Sequence, residues 1–337
     1  MRRLPSKLER MPRRPLAHLP TPLEPMVNLA RHVGRAKLLV KRDDCTGLAM
    51  GGNKVRQLEF YLGDAAAVGA DTLLITGAVQ SNFVRSTIAA GNRLGMHSHV
   101  QLEQRLARHD PSYAASGNVL LDILLGATIH SYPDGEDEAG ADARLESLAN
   151  ELRAEGHRPY VIHLAPGHAP LGALGYVVAA GEILQQVEAG APNFDEVVVA
   201  SGSGHTHAGL LFGLRALGCA VPVTGVCVRR DAQTQRARLI SRTNEIAELL
   251  EVENPVDPKD VVATDAFLAP GYGQLNPQTQ EAISLAARYE ALLLDPVYSG
   301  KAMAAVLERA GDTDTTVLFI HTGGTPALFA YQHELTS

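Results

Sequence analysis

Lys54 stands in Gly51-Gly52-Asn53-Lys54-Val55-Arg56, a few residues after Lys41-Arg42-Asp43-Asp44. The glycines and Asn53 read as a tight turn handing over to a helix, because Val55, Leu58, Leu62 and Ala65 follow at helical spacing. A lysine in a first helical turn faces the positive end of the helix dipole. That opposition lowers its pKa and frees the amine lone pair, as an amine nucleophile or Schiff-base lysine requires. Taken alone, the position also fits a solvated lysine in a turn.

Other stretches could complete a site around such an amine. Ser201-Gly202-Ser203-Gly204-His205-Thr206 follows an apolar run and precedes a helix expected to begin near Ala208. Its glycines let backbone N–H groups converge, and Ser203 and Thr206 add hydroxyl donors, which makes an anion cradle. After Gly202 and Gly204 the next glycine is Gly209, so the dinucleotide fingerprint is absent. Gly47 to Lys54 is not a Walker loop either, since Asn53 stands where the lysine belongs. A small phosphate ester is therefore expected rather than a nucleotide. Gln80-Ser81-Asn82 offers three neutral hydrogen-bonding side chains for a carboxylate or phenolic oxygen. Tyr272 and Tyr298 lie beside backbone-permissive residues and can move protons if a cation lowers their pKa. His163, His168, His205 and His207 fall near proposed loops. His205 and His207 are too close together for a helical zinc pair, and no metal site is expected.

The elements that must position these groups are short apolar runs alternating with helical patterns: Leu73 to Ile75, Val197 to Val199, Val223 to Val228 and Val317 to Ile320. That alternation indicates a mostly parallel α/β sheet, in which ligands gather where strands end and helices begin. The polar stretches fall at those joints. Acidic residues around Asp134 to Asp142 read as a surface loop leading into a helix. At 337 residues and 45% hydrophobic content the chain can bury a full core, with about two domains from its length. A net charge of −7 argues against nucleic acid as a partner. No apolar run approaches a membrane span. Cys45, Cys219 and Cys227 are odd in number and widely spaced, which points to a reducing, cytoplasmic setting. The basic first fourteen residues are expected to form a solvated arm.

Together these stretches resemble the fold-type II pyridoxal-phosphate (PLP) enzymes, in the branch of D-cysteine desulfhydrase, L-cysteate sulfo-lyase and 1-aminocyclopropane-1-carboxylate deaminase. The resemblance rests on Leu19-Pro20-Thr21-Pro22-Leu23, Lys41 to Asp44, Gly51 to Lys54, Gln80 to Asn82, Ala269 to Gly273, Asp295 to Tyr298 and Phe319 to Gly324, in family order over nearly the whole chain. It implies a tryptophan synthase β-like α/β fold: two open, twisted, mostly parallel sheets flanked by helices. Residues 1–56 with 163–337 would form a large PLP-binding domain, and 57–162 a small one closing over the cofactor. Lys54 would carry the Schiff base to PLP and then act as proton-transfer base. Ser201, Gly202, Ser203, Gly204, His205 and Thr206 would hold the phosphate, and Asn82 the phenolic oxygen. Ser299 and Thr322 would meet the cofactor. Gln80, Ser81, Asn82 and His168 would bind a small amino-acid substrate, with Ser81, Tyr272 and Tyr298 at the reacting face.

The resemblance further implies a homodimer and α,β-elimination of a β-sulfur leaving group, giving pyruvate and ammonia. Ser299 stands where the cyclopropane deaminases carry a glutamate toward the pyridine nitrogen, so the deaminase ranks behind the two sulfur lyases. D-cysteine is the first expectation and L-cysteate, with sulfite leaving, the second. A non-catalytic PLP-binding protein would need the lysine and cradle but not the two tyrosines and Gln80-Ser81-Asn82.

Overall fold

The computed structural model describes residues 3–34, 37–106, 111–312 and 315–336. Among these residues ten strands form two sheets: β1 (Leu23–Pro25), β2 (Lys37–Lys41), β3 (Thr72–Ala78), β4 (His97–Glu103), β5 (Thr128–Tyr132), β6 (Pro159–Ile162), β7 (Glu196–Ser201), β8 (Val223–Cys227), β9 (Val261–Thr264) and β10 (Thr316–Ile320). One sheet has the order β1-β2-β10-β7-β8-β9, the other β5-β4-β3-β6. Every pairing is parallel except β1 with β2. The central strands are apolar on both faces because helices cover both, as parallel sheets require. Val197, Val198, Val199, Leu318 and Phe319 are all fully buried.

The smaller sheet lies wholly within residues 72–162. The expected domain cut at residue 57 falls inside the helix Asn53–Ala67, which is unbroken. Its buried face, with Leu58, Leu62 and Ala65, joins a single core that also takes in Ile75 and Val100 of the small sheet and Val197 and Leu318 of the large one.

The N-terminal stretch is not a solvated arm. Ser6–Arg10 is a helix with Leu8 buried, and Lys7 pairs with Glu251 at 2.8 Å. The buried Glu59 draws the chain down. Its carboxylate accepts from Arg13 Nε at 2.8 Å and from the backbone N–H groups of Leu16 and Ala17. A buried carboxylate needs such partners, and the basic segment supplies them.

All three cysteines are free. Among the described residues no helix is long and apolar enough to cross a membrane.

Candidate active site

Lys54 is the second residue of the helix Asn53–Ala67, as its sequence position implies. Close backbone packing sets that start. A Cβ on Gly52 would lie 3.1 Å from the Thr322 carbonyl oxygen, and one on Gly323 would lie 2.7 Å from Gly52 Cα. The following turn is anchored by Arg56, which donates to Asp43 at 2.9 and 3.0 Å and to Glu182 at 2.8 and 2.9 Å. Lys41 reaches the same Glu182 at 2.6 Å. Thus Lys41, Asp43 and Arg56 are a buried brace, and Lys54 is the side chain it aims.

Lys54 Nζ has no hydrogen bond or ion pair with any described residue and sits 4.9 Å from the centre of the Phe83 ring. Burial alone lowers its pKa to about 8. It opens on a cleft bordered by the ends of both sheets. Five cationic side chains line it (Lys54, Arg105, Arg229, Arg230 and Arg238) against two carboxylates, Glu138 and Asp295.

Gly202, Ser203, Gly204 and Thr206 line one wall. The helix there is His205–Ala216, beginning three residues earlier than expected, so Thr206 stands in its first turn. Gly204 caps it at φ 94°, a left-handed conformation that glycine adopts without strain. Thr206 Oγ1 accepts from Asn53 and Gln57, both at 2.8 Å, and its own proton finds no acceptor among the described residues. A helix N-terminus with converging N–H groups and a spare hydroxyl proton suits a phosphate.

Two members of that run face elsewhere. Ser201 Oγ is held by Gln235 at 2.9 Å and by His207 at 3.2 Å, behind the wall. His205 is buried with both ring nitrogens unpartnered. Burial first, then Arg242, Lys54 and Arg238, keep that ring far below its ordinary pKa, hence neutral.

Asn82 and Ser81 are on the cleft. Asn82 Oδ1 accepts from Asn118 at 3.0 Å and Arg85 at 3.3 Å, which turns its amide N–H groups outward as donors. Ser81 caps the helix Asn82–Arg93 by accepting from the Val84 N–H, and its own proton remains to be given. Gln80 is a correction. Its amide donates to the Tyr113 and Ser116 carbonyls and accepts from the Asn118 N–H, so it braces the wall from behind.

Tyr272 and Tyr298 meet hydroxyl to hydroxyl at 3.0 Å on the cleft, with Arg105 5.4 Å over the Tyr272 ring. A lowered pKa was the expectation for them. For Tyr298 the opposite holds: burial and the neighbouring Tyr272 raise it well above its usual value, outweighing Arg105. Tyr298 is therefore a neutral hydroxyl, hydrogen-bonded to that of Tyr272 and able to give up a proton.

Thr322 lines the cleft beside Asp295. Ser299 does not: its hydroxyl donates to Asp295 Oδ2 at 2.6 Å and accepts from the Asp295 N–H at 2.8 Å. Asp295 also accepts backbone N–H bonds from Val297, Tyr298 and Ser299. Its pKa is nonetheless raised by complete burial. His168 is also off the cleft, bonded to Asp142 at 3.1 Å.

Sequence reasoning missed the arginines. Arg229 donates to Glu138 at 2.9 Å and Arg238 at 3.2 Å, while Arg230 bonds the same carboxylate. Against burial, these three arginines hold Glu138 down to about 2. Arg229-Arg230 lies one residue past the end of β8, so the strand-end rule could have found them.

The unpartnered amine, the glycine cradle with the Thr206 proton and the outward Asn82 amide together fit pyridoxal phosphate. The comparisons agree. The chain is 43% identical to a D-cysteine desulfhydrase of Klebsiella pneumoniae (strain 342) over 97% of its length and 98% of the relative's. It is 45% identical to one of Salmonella paratyphi C (strain RKS4594), covering 96% and 97%. A solved structure described as an ACC deaminase homologue superposes with a TM-score of 0.87 at 38% identity, covering 97% of this chain and 96% of that one. An O-ureido-L-serine synthase, at 16% identity and a TM-score of 0.68, shares the fold. Residues 15–323 match the family described as "Pyridoxal-phosphate dependent enzyme", and the chain belongs to that family.

Proposed function

We propose that this protein is a carbon–sulfur lyase that eliminates a β-sulfur group from a three-carbon amino acid, with D-cysteine as substrate and sulfide, pyruvate and ammonia as products. The observation that carries this reading is that the unpartnered Lys54 amine and the paired Tyr272 and Tyr298 hydroxyls line one cleft. Identity of 43–45% to enzymes named D-cysteine desulfhydrase, over nearly full length, supports the substrate.

Bound pyridoxal phosphate supplies the electron sink for a carbanion at Cα. Lys54 and the cradle of Gly202, Ser203, Gly204 and Thr206 would hold it, with Asn82 donating to its phenolic oxygen. The Ser81 hydroxyl and the N-terminus of the helix Asn82–Arg93 take the substrate carboxylate. The Lys54 amine, neutral above about pH 8, removes the Cα proton. The Cβ–S bond breaks with its electron pair on sulfur, and the tyrosine pair gives that sulfur a proton. Ser299 commits its proton to Asp295 and offers none to the cleft, consistent with ranking the cyclopropane deaminase last.

The arginines favour a second reading, L-cysteate with sulfite leaving. Arg105, Arg229, Arg230 and Arg238 exceed the charge of Glu138 and suit a sulfonate. Assays of pyruvate, sulfide and sulfite with D-cysteine and with L-cysteate separate the two. Sulfite without sulfide moves the assignment to cysteate, and no pyruvate from either rules out elimination. In the cysteate case, Arg230→Ala lowers kcat/KM for cysteate roughly 10- to 100-fold, as loss of a charged hydrogen bond does, and leaves D-cysteine turnover unchanged.

The small-sheet region, residues 57–162, closes over the site in this reading, and the chain works as a homodimer in the cytoplasm. Leu120, Ile123 and Leu124, on one face of the helix Asn118–Leu124, are 47%, 57% and 72% exposed and support the dimer. Ile123→Asp is expected to halve the mass measured by light scattering. An unchanged mass removes this face from the interface.

A further inference from the structure

A second cluster lies outside the cleft, where the chain leaves the small sheet. Asp142 and Glu146 sit one turn apart on the helix Glu138–Ala154; His163 directly follows β6; His168 is in the link to the helix Leu171–Glu188. His163 Nδ1 meets Asp142 Oδ1 at 2.8 Å, and His168 Nε2 meets Asp142 Oδ2 at 3.1 Å. The two imidazoles are stacked, with centres 3.7 Å apart and planes 4° from parallel. One ligand atom from each of Asp142, His163 and His168 lies within 4.8 Å of the others.

We infer that Asp142, His163 and His168 form a site for a divalent transition-metal ion of the zinc class. Two imidazoles and one carboxylate are a donor set that such ions take, with a further position left for water; because the two rings lie parallel, the partly exposed His168 ring must turn for both lone pairs to meet at one ion. The fourth residue strengthens the assignment. Glu146 Oε1 lies 3.0 Å from His163 Nε2, so it accepts that ring's N–H and leaves Nδ1 as the ligand atom. A carboxylate behind a ligating histidine fixes its tautomer and orientation. The sequence expectation of no metal was drawn from His205 and His207. This cluster joins residues 21 and 26 positions apart and shows no ligand motif.

The site would clamp two borders of the cleft. Glu138, which takes the three arginines, lies one turn before Asp142 on the same helix. Leu164 adjoins His163 and also lines the cleft, and its carbonyl accepts from Arg238 and Arg242. Metal binding would therefore stiffen the link between the sheets without touching the reacting atoms, and it does not depend on the substrate assigned above.

The test uses chelator-treated holoenzyme dialysed against Zn²⁺, with bound metal counted by atomic emission and the melting temperature recorded. One tightly held ion per chain and a higher melting temperature are expected, because a ligand bound only to the folded state stabilises it. His168→Ala, at a partly exposed position, should fold normally, lose the ion and lose the thermal shift. Glu146→Gln should weaken binding about 10- to 100-fold. His130→Ala serves as control, since His99 and His130 are a second close imidazole pair, at 3.2 Å. No bound zinc in the wild type, full retention in His168→Ala, or loss in His130→Ala would overturn the assignment.

Discussion

Lys54→Ala is expected to lower kcat/KM by at least about 10²- to 10⁴-fold, the loss that removing a positioned base alone brings. The visible absorption of lysine-bound pyridoxal phosphate should vanish with it. The fold should survive, because the Lys54 amine makes no hydrogen bond or ion pair with any described residue. Circular dichroism and a melting curve of the cofactor-free variant check this. A persistent visible band, or activity within tenfold of wild type, would mean that another amine holds the cofactor. The lowered pKa adds a directional test. Only the neutral amine attacks an aldehyde, so capture of pyridoxal phosphate by cofactor-free protein should quicken as pH rises and level off above about 8. A midpoint near the ordinary lysine value of 10.5 would show a solvated amine.

The largest stability loss is expected from Arg56→Ala. Arg56 and Asp43 are each 1% exposed, and Glu182, Thr21 and Tyr176 complete the network around them. Removing one partner of a buried pair leaves the other charged and uncompensated, a cost of about 3–5 kcal/mol. Against a total stability of about 5–15 kcal/mol, that is a large share. Urea unfolding measures it; a loss below about 1 kcal/mol would show that the brace is not needed. Arg56→Lys should recover only part, because an ammonium cannot reproduce the guanidinium fork. The same network ties stability to pH. Although burial opposes it, Arg56 holds the Asp43 pKa below the ordinary 3.8. The stabilisation is therefore present above the unfolded value and is lost as pH falls through the lower folded one.

Much of this site was legible because strand ends and helix starts have local signatures. Apolar runs ending in glycine, serine and threonine located β3, β7 and β10 and the joints after them, and helical spacing after Asn53 placed Lys54. What could not be read was the direction in which each polar side chain turns. Ser201, the last residue of β7, and Ser203 are two residues apart, yet Ser201 bonds Gln235 and His207 while Ser203 faces the cleft. Gln80 and Ser299 likewise found nearer partners, in the Asn118 and Asp295 backbones. Such choices depend on segments distant in sequence. The arginine group at Glu138 joins positions 91 to 100 residues apart; the end of β8 marks Arg229 and Arg230, but nothing local pairs them with Glu138.

The unbroken helix Asn53–Ala67 has a mechanical consequence. No hinge exists where the two sheets would be divided at residue 57, so the helix acts as an axle shared by both. The axle leads into the small sheet through residues 68–71, and the chain returns through 163–170. In the closure proposed above, rotation of the sheets would be absorbed at those two crossings, while Lys54 at the axle's end would stay registered to the large sheet by Arg56. The cleft would then open without moving the amine.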